Sequence, residues 1–217
     1  MTSARPATPQ GAEDLGFVHR YEKGSDGTTL LLLHGTGGDE NDLIPIAKQL
    51  APGANLLSPR GQVLEHGMPR FFERLAVGVF NEEDLRKRAA DLSAFVRAAA
   101  ARYGFDAGRV YAMGFSNGAN MAAGLLLLDG SLLAGAALLR AIVPLEPPRM
   151  PDLTGKPVLL AAGLGDPYAP HEKVDRLAEL LKKSGAVVDL RWAKADHSLV
   201  PSDFKAIVDW LNAIRPS

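Results

Sequence analysis

The segment Val110-Tyr-Ala-Met-Gly-Phe-Ser-Asn-Gly-Ala119 predicts a β-strand that turns sharply into an α-helix. Its apolar first half is typical of a buried strand, and helix-compatible residues continue to Leu128. Gly114, Ser116 and Gly118 form the pattern G-x-S-x-G, which in this context puts a serine on a strained turn with its hydroxyl projecting from the sheet. Glycine is expected at both flanking positions because side chains there would crowd each other. An incidental serine in a glycine-rich turn gives the same pattern, so the partners of Ser116 must decide between the two interpretations.

Short apolar runs alternate with amphipathic runs on both sides of this turn, which predicts crossover connections and a mainly parallel sheet. The predicted strands are 17–22, 28–33, 54–57, 109–113, 134–139, 158–162 and 187–192, and the predicted helices are 42–50, 81–103, 119–128, 170–183 and 202–214. Gly24 and Gly27 predict a hairpin turn between the first two strands. Residues 58–80 show no clear periodicity, and such a segment inside a domain is usually functional or mobile. We expect an α/β fold, with a disordered tail over residues 1–12 and a single domain over 13–217.

The composition limits the classes of function. Lys+Arg 24 against Asp+Glu 25 gives a net charge of −1 without a basic block, so nucleic acid is not an expected partner. The chain has no cysteine, which excludes disulfides, thiolate metal sites and a cysteine nucleophile. The first ten residues lack the apolar core of a signal peptide, and the most apolar region, 124–145, is interrupted by polar residues. These features predict a cytoplasmic protein without stable membrane association.

Chemically active side chains follow several of the predicted strands. In open parallel sheets ligands bind at the carboxyl ends of strands, so residues at these ends meet at one rim. The strand ends carry His34–Gly38, Ser116, Asp166 and Asp196–His197. A serine hydroxyl needs a base that takes its proton, and we expect His197 to be this base, oriented by Asp166. The backbone N–H groups of Thr36 and Asn117 are the candidate donors to an oxyanion.

Alternatives exist for several of these residues. Asp196 is a rival acid, although sequence neighbours of a histidine seldom point in the direction needed to orient it. We expect His34 to tie down the glycine loop. Arg140 either meets a substrate carboxylate or carbonyl, or forms an ion pair that anchors a loop. Phe71 and Phe72 either wall an apolar pocket or anchor the segment 58–80. No pair of the other histidines has convincing metal spacing, so we expect no metal site.

Several motifs taken together resemble the bacterial phospholipase/carboxylesterase branch of the α/β-hydrolases. They are His34-Gly-Thr-Gly-Gly-Asp-Glu-Asn-Asp42, Ser58-Pro-Arg-Gly61, Gly67-Met-Pro-Arg-Phe-Phe72, Gly114-Phe-Ser-Asn-Gly-Ala119, Leu138-Leu-Arg140 and His197-Ser-Leu199. Within this branch the chain is most similar to the small hydrolases associated with hydroquinone stress, and acyl-protein thioesterases are more distant relatives. The resemblance implies a three-layer α/β-hydrolase fold with a mainly parallel, twisted sheet of about seven strands and no large cap domain. The chain departs from the family at Asp196, where a glycine is expected before the histidine.

The resemblance also implies ester hydrolysis by Ser116, Asp166 and His197, with Thr36 and Asn117 donating to the oxyanion. The candidates for substrate contact are Gly35, Phe71, Phe72 and Arg140. We therefore expect a cofactor-free serine carboxylesterase that hydrolyses small acyl or aryl esters through an acyl-enzyme, with a homodimer left open. A thioesterase or lysophospholipase would use the same triad with a longer acyl groove. A non-catalytic binder on the same fold is a further alternative, although it has no need of all three groups.

Overall fold

The structure is a computed structural model that describes residues 15–215, so the tail predicted to be disordered at 1–12 lies outside the described residues. The strands in chain order are β1 (His19–Glu22), β2 (Thr29–Leu33), β3 (Asn55–Pro59), β4 (Val63–Glu65), β5 (Met68–Arg70), β6 (Arg74–Ala76), β7 (Val79–Phe80), β8 (Val110–Phe115), β9 (Gly135–Leu139), β10 (Pro157–Gly163) and β11 (Val187–Ala193). The helices are α1 (Ile44–Leu50), α2 (Glu82–Tyr103), α3 (Asn117–Leu128), α4 (His171–Lys183) and α5 (Pro201–Ile214).

Seven strands form one central sheet in the order β1-β3-β2-β8-β9-β10-β11. Strand β1 runs antiparallel to β3, and every other neighbouring pair is parallel. Strands β2 and β9 are buried at every position, as expected for strands that are covered on both faces. This arrangement confirms the predicted mainly parallel sheet.

Helices cover both faces of the sheet. One apolar core packs α2, α3 and α4 against one face, with Leu85, Leu126 and Leu177 among its fully buried residues. A second core packs α1 and α5 against the opposite face through residues such as Ile44 and Trp210. The fold is therefore the predicted three-layer α/β-hydrolase fold. Within residues 15–215, no connection between strands of the sheet forms a large cap domain.

The predicted hairpin between the first two strands is wrong, because β1 pairs with β3 rather than with β2. The register places His19 opposite Pro59 and Glu22 opposite Leu56. The turn after β1 is held by residues that precede or begin β3. Gly24 donates its N–H to the Asn55 side chain at 2.8 Å, and Ser25 donates its N–H to the Gly53 carbonyl at 2.7 Å. After this turn the chain crosses β3, and β2 takes a position inside the sheet between β3 and β8.

Residues 58–80 are more regular than the sequence indicates. They contain two small antiparallel hairpins, β4–β5 and β6–β7, beyond the end of β3. Gly67 and Gly78 lie in the hairpin turns with φ of 81° and 69°, a conformation that glycine adopts easily. In the sequence these glycines, together with Pro69, interrupt the periodicity of very short strands. None of the helices in the described part of the chain combines the length and hydrophobicity needed to cross a membrane.

Candidate active site

The structure brings together Ser116, His197 and Asp166, which come from three different strand ends. Ser116 lies between β8 and α3, Asp166 follows β10, and His197 follows β11. The Ser116 Oγ atom is 2.8 Å from His197 Nε2, and His197 Nδ1 is 2.7 Å from Asp166 Oδ2. Both distances are hydrogen-bond distances, so the three side chains form one continuous chain of polar contacts. The His197 side chain is 25% exposed, whereas that of Asp166 is fully buried.

The backbone of Ser116 has φ 52° and ψ −115°, which is a rare conformation for a residue with a side chain. Its N–H donates to the Leu139 carbonyl at the end of β9, at 2.9 Å. A Cβ atom on Gly114 would approach the Gly118 carbonyl and the Ala119 nitrogen at 2.7 Å. A Cβ atom on Gly118 would overlap the backbone carbonyls of Leu33 and His34. The glycine at 118 is therefore required by the neighbouring strand β2 as well as by the turn itself.

Asp166, rather than Asp196, contacts the histidine. Asp166 Oδ1 accepts a hydrogen bond from the Tyr168 N–H at 2.9 Å, which fixes the carboxylate while Oδ2 faces His197. Asp196 is exposed, and its Oδ1 accepts the Ser198 N–H at 2.7 Å. This backbone hydrogen bond is the largest of the causes that lower the pKa of Asp196. Asp196 thus holds the turn around His197 without contacting the ring.

Arg140 anchors the loop that carries His197, which corrects its proposed contact with substrate. The guanidinium is buried and makes a bidentate ion pair with Asp203 of α5, at 2.6 and 3.1 Å. Its other N–H groups donate to the carbonyls of Ala161, Asp196 and Ser198. Although Arg140 borders the cavity, these five bonds use all the donors that a guanidinium has. It has none left for a substrate, and it fixes the residues on both sides of His197.

The candidate oxyanion donors lie beside Ser116. Thr36, Ser116 and Asn117 line the same cavity. Asn117 is the first residue of α3, so its N–H has no acceptor one turn earlier in the helix and points out of the helix N-terminus. The positive end of the α3 dipole also favours negative charge at this place. The arrangement suits an anionic oxygen.

His34 and Gly35 shape the loop that carries Thr36. His34 is buried, and its Nε2 accepts the Gly61 N–H at 2.9 Å while its Nδ1 donates to the Gly35 carbonyl at 2.7 Å. Burial is the largest influence on its pKa, which is lowered, so the ring is held in its neutral form. A Cβ atom on Gly35 would approach the Phe115 ring at 2.9 Å. Gly35 therefore packs the loop against Phe115, and it is not among the described residues that line the cavity, so its contact with a substrate stays a prediction.

The cavity next to Ser116 has a volume of about 260 Å³. Its apolar wall includes Phe80, Phe115, Ile142 and Tyr168, and the Tyr168 ring packs edge-on against His197 at 5.1 Å. Arg70 and Arg74 from the two hairpins supply positive charge. Arg70, Arg74 and Phe80 are not among the site residues predicted from the sequence. The signal that could have pointed to them is their position in the segment 58–80, whose lack of periodicity is typical of a functional or mobile segment.

Phe71 and Phe72 do not wall this cavity, although they were candidates for substrate contact. They are 3% and 0% exposed, respectively, and belong to the core. Phe71 packs against the His34 ring at 4.7 Å, and Phe72 packs edge-on against Phe80 at 5.1 Å. The Phe71 N–H donates to the Asn117 side chain at 2.7 Å, which fixes the backbone with both rings turned inward. Their role is the alternative one of anchoring the segment. No cluster of three or more metal-ligating side chains is found within residues 15–215.

Comparisons with known proteins agree with this geometry. MhqD of Bacillus subtilis (strain 168), whose name provisionally designates a hydrolase, is 44% identical over 192 residues, which are 88% of this chain and 96% of MhqD. The crystal structure of a Bacillus cereus carboxylesterase is 42% identical with a TM-score of 0.87, covering 90% of this chain and 93% of that one. A carboxylesterase from Mesorhizobium loti is 34% identical with a TM-score of 0.82, covering 87% and 90% of the two chains. The phospholipase/carboxylesterase family model matches residues 20–215, and the chain therefore belongs to this family of α/β-hydrolases.

Proposed function

We propose that the protein is a serine carboxylesterase in which Ser116 is the nucleophile. The observation that carries this proposal is the continuous contact from Asp166 through His197 to Ser116, with distances of 2.7 and 2.8 Å. A neutral imidazole with Nδ1–H directed at the carboxylate leaves Nε2 free to accept the serine proton. The family membership and the carboxylesterase relatives support the same chemistry.

The geometry supports a two-step reaction. His197 Nε2 takes the Ser116 proton as Oγ attacks the ester carbonyl, and the N–H groups of Thr36 and Asn117 stabilise the resulting oxyanion. His197 then protonates the departing alcohol oxygen, which leaves an acyl-enzyme on Ser116. In the second step His197 removes a proton from water, and the hydroxide attacks the acyl carbonyl. The carboxylic acid departs as the proton returns to Ser116. No cofactor is needed at any point of this cycle.

The size of the cavity favours small esters over long acyl chains. A volume of about 260 Å³ is below the range of roughly 300–1,000 Å³ typical of pockets for drug-sized ligands. We therefore propose small acyl or aryl esters as substrates. A thioesterase or lysophospholipase would use the same triad, but it needs room for a long acyl chain.

Covalent labelling with a fluorophosphonate probe tests the proposal. The probe should attach to Ser116, as identified by mass spectrometry of the modified peptide, and the protein should hydrolyse p-nitrophenyl acetate. Ser116→Ala should abolish the labelling and reduce kcat on the order of a million-fold, by analogy with other triads. The matched control is Ser131→Ala, since this exposed serine lies outside the site. A protein that neither labels nor hydrolyses esters is a non-catalytic binder, and the proposal is then wrong.

The cellular location, the partners and the assembly of the protein are proposals as well. We propose a cytoplasmic enzyme that acts on a small-molecule ester, without a nucleic acid partner and without stable membrane association. If a homodimer forms, β11 is a poor place for strand pairing, because this edge strand presents the exposed ion pair between Asp189 and Arg191 at 2.6 Å. Sedimentation at several protein concentrations measures the assembly directly.

A further inference from the structure

The cavity beside Ser116 holds a positive side chain that the two-step reaction does not use. Arg70, the last residue of β5, is only 3% exposed and lines the cavity together with Thr36 and Asn117. Its Nη1 donates to Thr36 Oγ1 at 2.6 Å, and its Nε donates to the Phe72 carbonyl at 3.2 Å. No acceptor within residues 15–215 takes the hydrogens of Nη2. Because Arg70 lines the cavity, these unused donors are available to a ligand.

Positive charge exceeds negative charge on this side of the cavity. Glu65 accepts from Arg74 Nε at 2.8 Å and lies 3.5 Å from Arg70 Nη1, so that one carboxylate faces two guanidinium groups. The pKa of Arg70 is lowered, mainly by burial and further by the charge of Arg74, while Glu65 opposes the shift. The third arginine of the cavity, Arg140, is already neutralised by Asp203. About one positive charge is therefore left for a ligand to balance.

Arg70 is also fixed in place relative to the nucleophile. The N–H of the next residue, Phe71, donates to Asn117 Oδ1 at 2.7 Å, and Asn117 directly follows Ser116. The same Asn117 side chain has a buried Nδ2 that has no acceptor within the described residues. Two donor groups without a protein acceptor among residues 15–215, the Nη2 of Arg70 and the buried Nδ2 of Asn117, thus belong to residues that line the cavity next to the serine.

We propose that Arg70 binds a carboxylate of the substrate, so that the preferred substrates are esters that carry a second, free carboxylate. This inference rests on the proposed function and names the substrate class for the same site. The free hydrogens of Nη2 can make charge-assisted hydrogen bonds to a carboxylate oxygen, which are stronger than hydrogen bonds between neutral groups. The rings and aliphatic groups of the apolar wall contact the carbon skeleton between the ester and the carboxylate. Arg74, whose side chain is more exposed than that of Arg70, adds a second positive charge to the lining of the cavity.

Pairs of aryl esters in which a methyl ester masks the free carboxylate test the inference. The first pair carries the carboxylate on the acyl side and consists of monophenyl terephthalate and its methyl ester. The other pairs carry it on the alcohol side and consist of meta- and para-acetoxybenzoate and their methyl esters. At low ionic strength, wild-type kcat/KM should be at least about tenfold higher for the charged member of at least one pair, as expected for a charge-assisted hydrogen bond. Arg70→Gln should lower this ratio by about tenfold.

Arg86→Gln is the matched control, because Arg86 is a partly exposed arginine of α2 that pairs with Glu82 and does not line this cavity. It should keep the wild-type ratio. Thermal melting and phosphonate labelling of Ser116 show whether Arg70→Gln is folded, and the wild-type ratios do not depend on any variant. If wild type hydrolyses the neutral esters without preferring a charged member of any pair, the Arg70 assignment is wrong while the serine esterase proposal stands. The assignment is also wrong if folded Arg70→Gln keeps the preference. If wild type neither labels nor hydrolyses any ester, both proposals fall.

Discussion

The backbone strain at Ser116 is held by contacts that also build the site. A non-glycine residue with φ 52° costs about 1–3 kcal/mol. The structure maintains this conformation through the Ser116 N–H bond to Leu139 and through the close approach of Gly118 to the end of β2. The same contacts place Oγ within hydrogen-bond distance of His197. Strain and function therefore meet at one residue, as expected where a side chain must project from a sheet.

Asp166→Asn should reduce kcat/KM for p-nitrophenyl acetate by about ten-thousand-fold, by analogy with other triads. The Tyr168 N–H requires an oxygen at the Oδ1 position, so the new amide NH₂ group takes the place of Oδ2 and faces His197 Nδ1. It then favours the tautomer that has a hydrogen on Nε2, which cannot accept the serine proton. Asp196→Asn is the control, and it should stay within about twofold of wild type because this carboxylate is exposed. A larger loss in Asp196→Asn would show that the wrong acid has been chosen.

His34 should make the stability of the protein depend on pH. Its pKa is lowered in the folded state, so below the unfolded pKa of about 6.5 the unfolded chain binds the proton in preference. The stability contributed by neutral His34 is therefore present above that pH and is lost as the pH falls towards the folded pKa. The difference in unfolding free energy between wild type and His34→Gln, measured in urea, should narrow between about pH 7.5 and pH 5.5. A constant difference would contradict the neutral state of the ring.

Several separate elements of the fold meet at Arg140. This residue follows β9, pairs with Asp203 in the first turn of α5, and bonds the carbonyls of Asp196 and Ser198 beyond β11. Both members of the ion pair are almost completely buried, at 0% and 2% exposure. Buried ion pairs contribute little net stability compared with apolar pairs, but breaking one is costly. We therefore interpret this pair as a device for positioning the His197 loop.

Arg140→Met should destabilise the protein by about 3–5 kcal/mol, because it leaves the Asp203 carboxylate buried and unpaired. The double variant Arg140→Met/Asp203→Leu removes both charges and should recover most of this stability in denaturant unfolding. Its kcat/KM should nevertheless stay low, since no side chain then holds the carbonyls on either side of His197. If the double variant has wild-type kcat/KM, Arg140 does not position the histidine loop.

In the part of the chain that the structure describes, residues 15–215, no cap domain covers the candidate site. The cavity lies at the carboxyl ends of the parallel strands, and two short hairpins from residues 58–80 provide one of its walls. These hairpins are held to the site by the bonds from Phe71 to Asn117 and from Gly61 to His34. Because the wall consists of short hairpins rather than an inserted domain, the space beside Ser116 is small. We therefore expect the overall arrangement, and not the triad, to limit the size of the substrate.

The dependence of rate on acyl length should reflect this small cavity. Across p-nitrophenyl esters from acetyl to dodecanoyl, kcat/KM should be highest for the short chains and fall by at least about tenfold between butyryl and octanoyl, which corresponds to about 1.4 kcal/mol in the transition state. Monomeric substrate concentrations are needed so that micelles do not distort the comparison. A rate that keeps rising to dodecanoyl would favour the thioesterase or lysophospholipase alternative instead.

Local sequence patterns were sufficient for much of this architecture. The apolar runs and helical periodicities predict the strands and helices of the central layers because each depends on neighbours along the chain. The chain order of Ser116, Asp166 and His197 predicts their meeting because parallel strands all end at the same edge of the sheet. The glycines of the serine turn follow from the sharpness of that turn, although the structure adds the contact of Gly118 with β2.

Long-range packing determines what these patterns leave open. Three features depend on residues that are far away in sequence. They are the pairing of β1 with β3, the inward orientation of the Phe71 and Phe72 rings, and the ion pair of Arg140 with Asp203, which lies 63 positions later in the chain. A pattern of polar and apolar residues does not say which way a side chain turns in a segment of three-residue strands, nor which of several carboxylates an arginine reaches. For the same physical reason, the placement of Arg70 in the cavity emerges only when the hairpins are packed against α3.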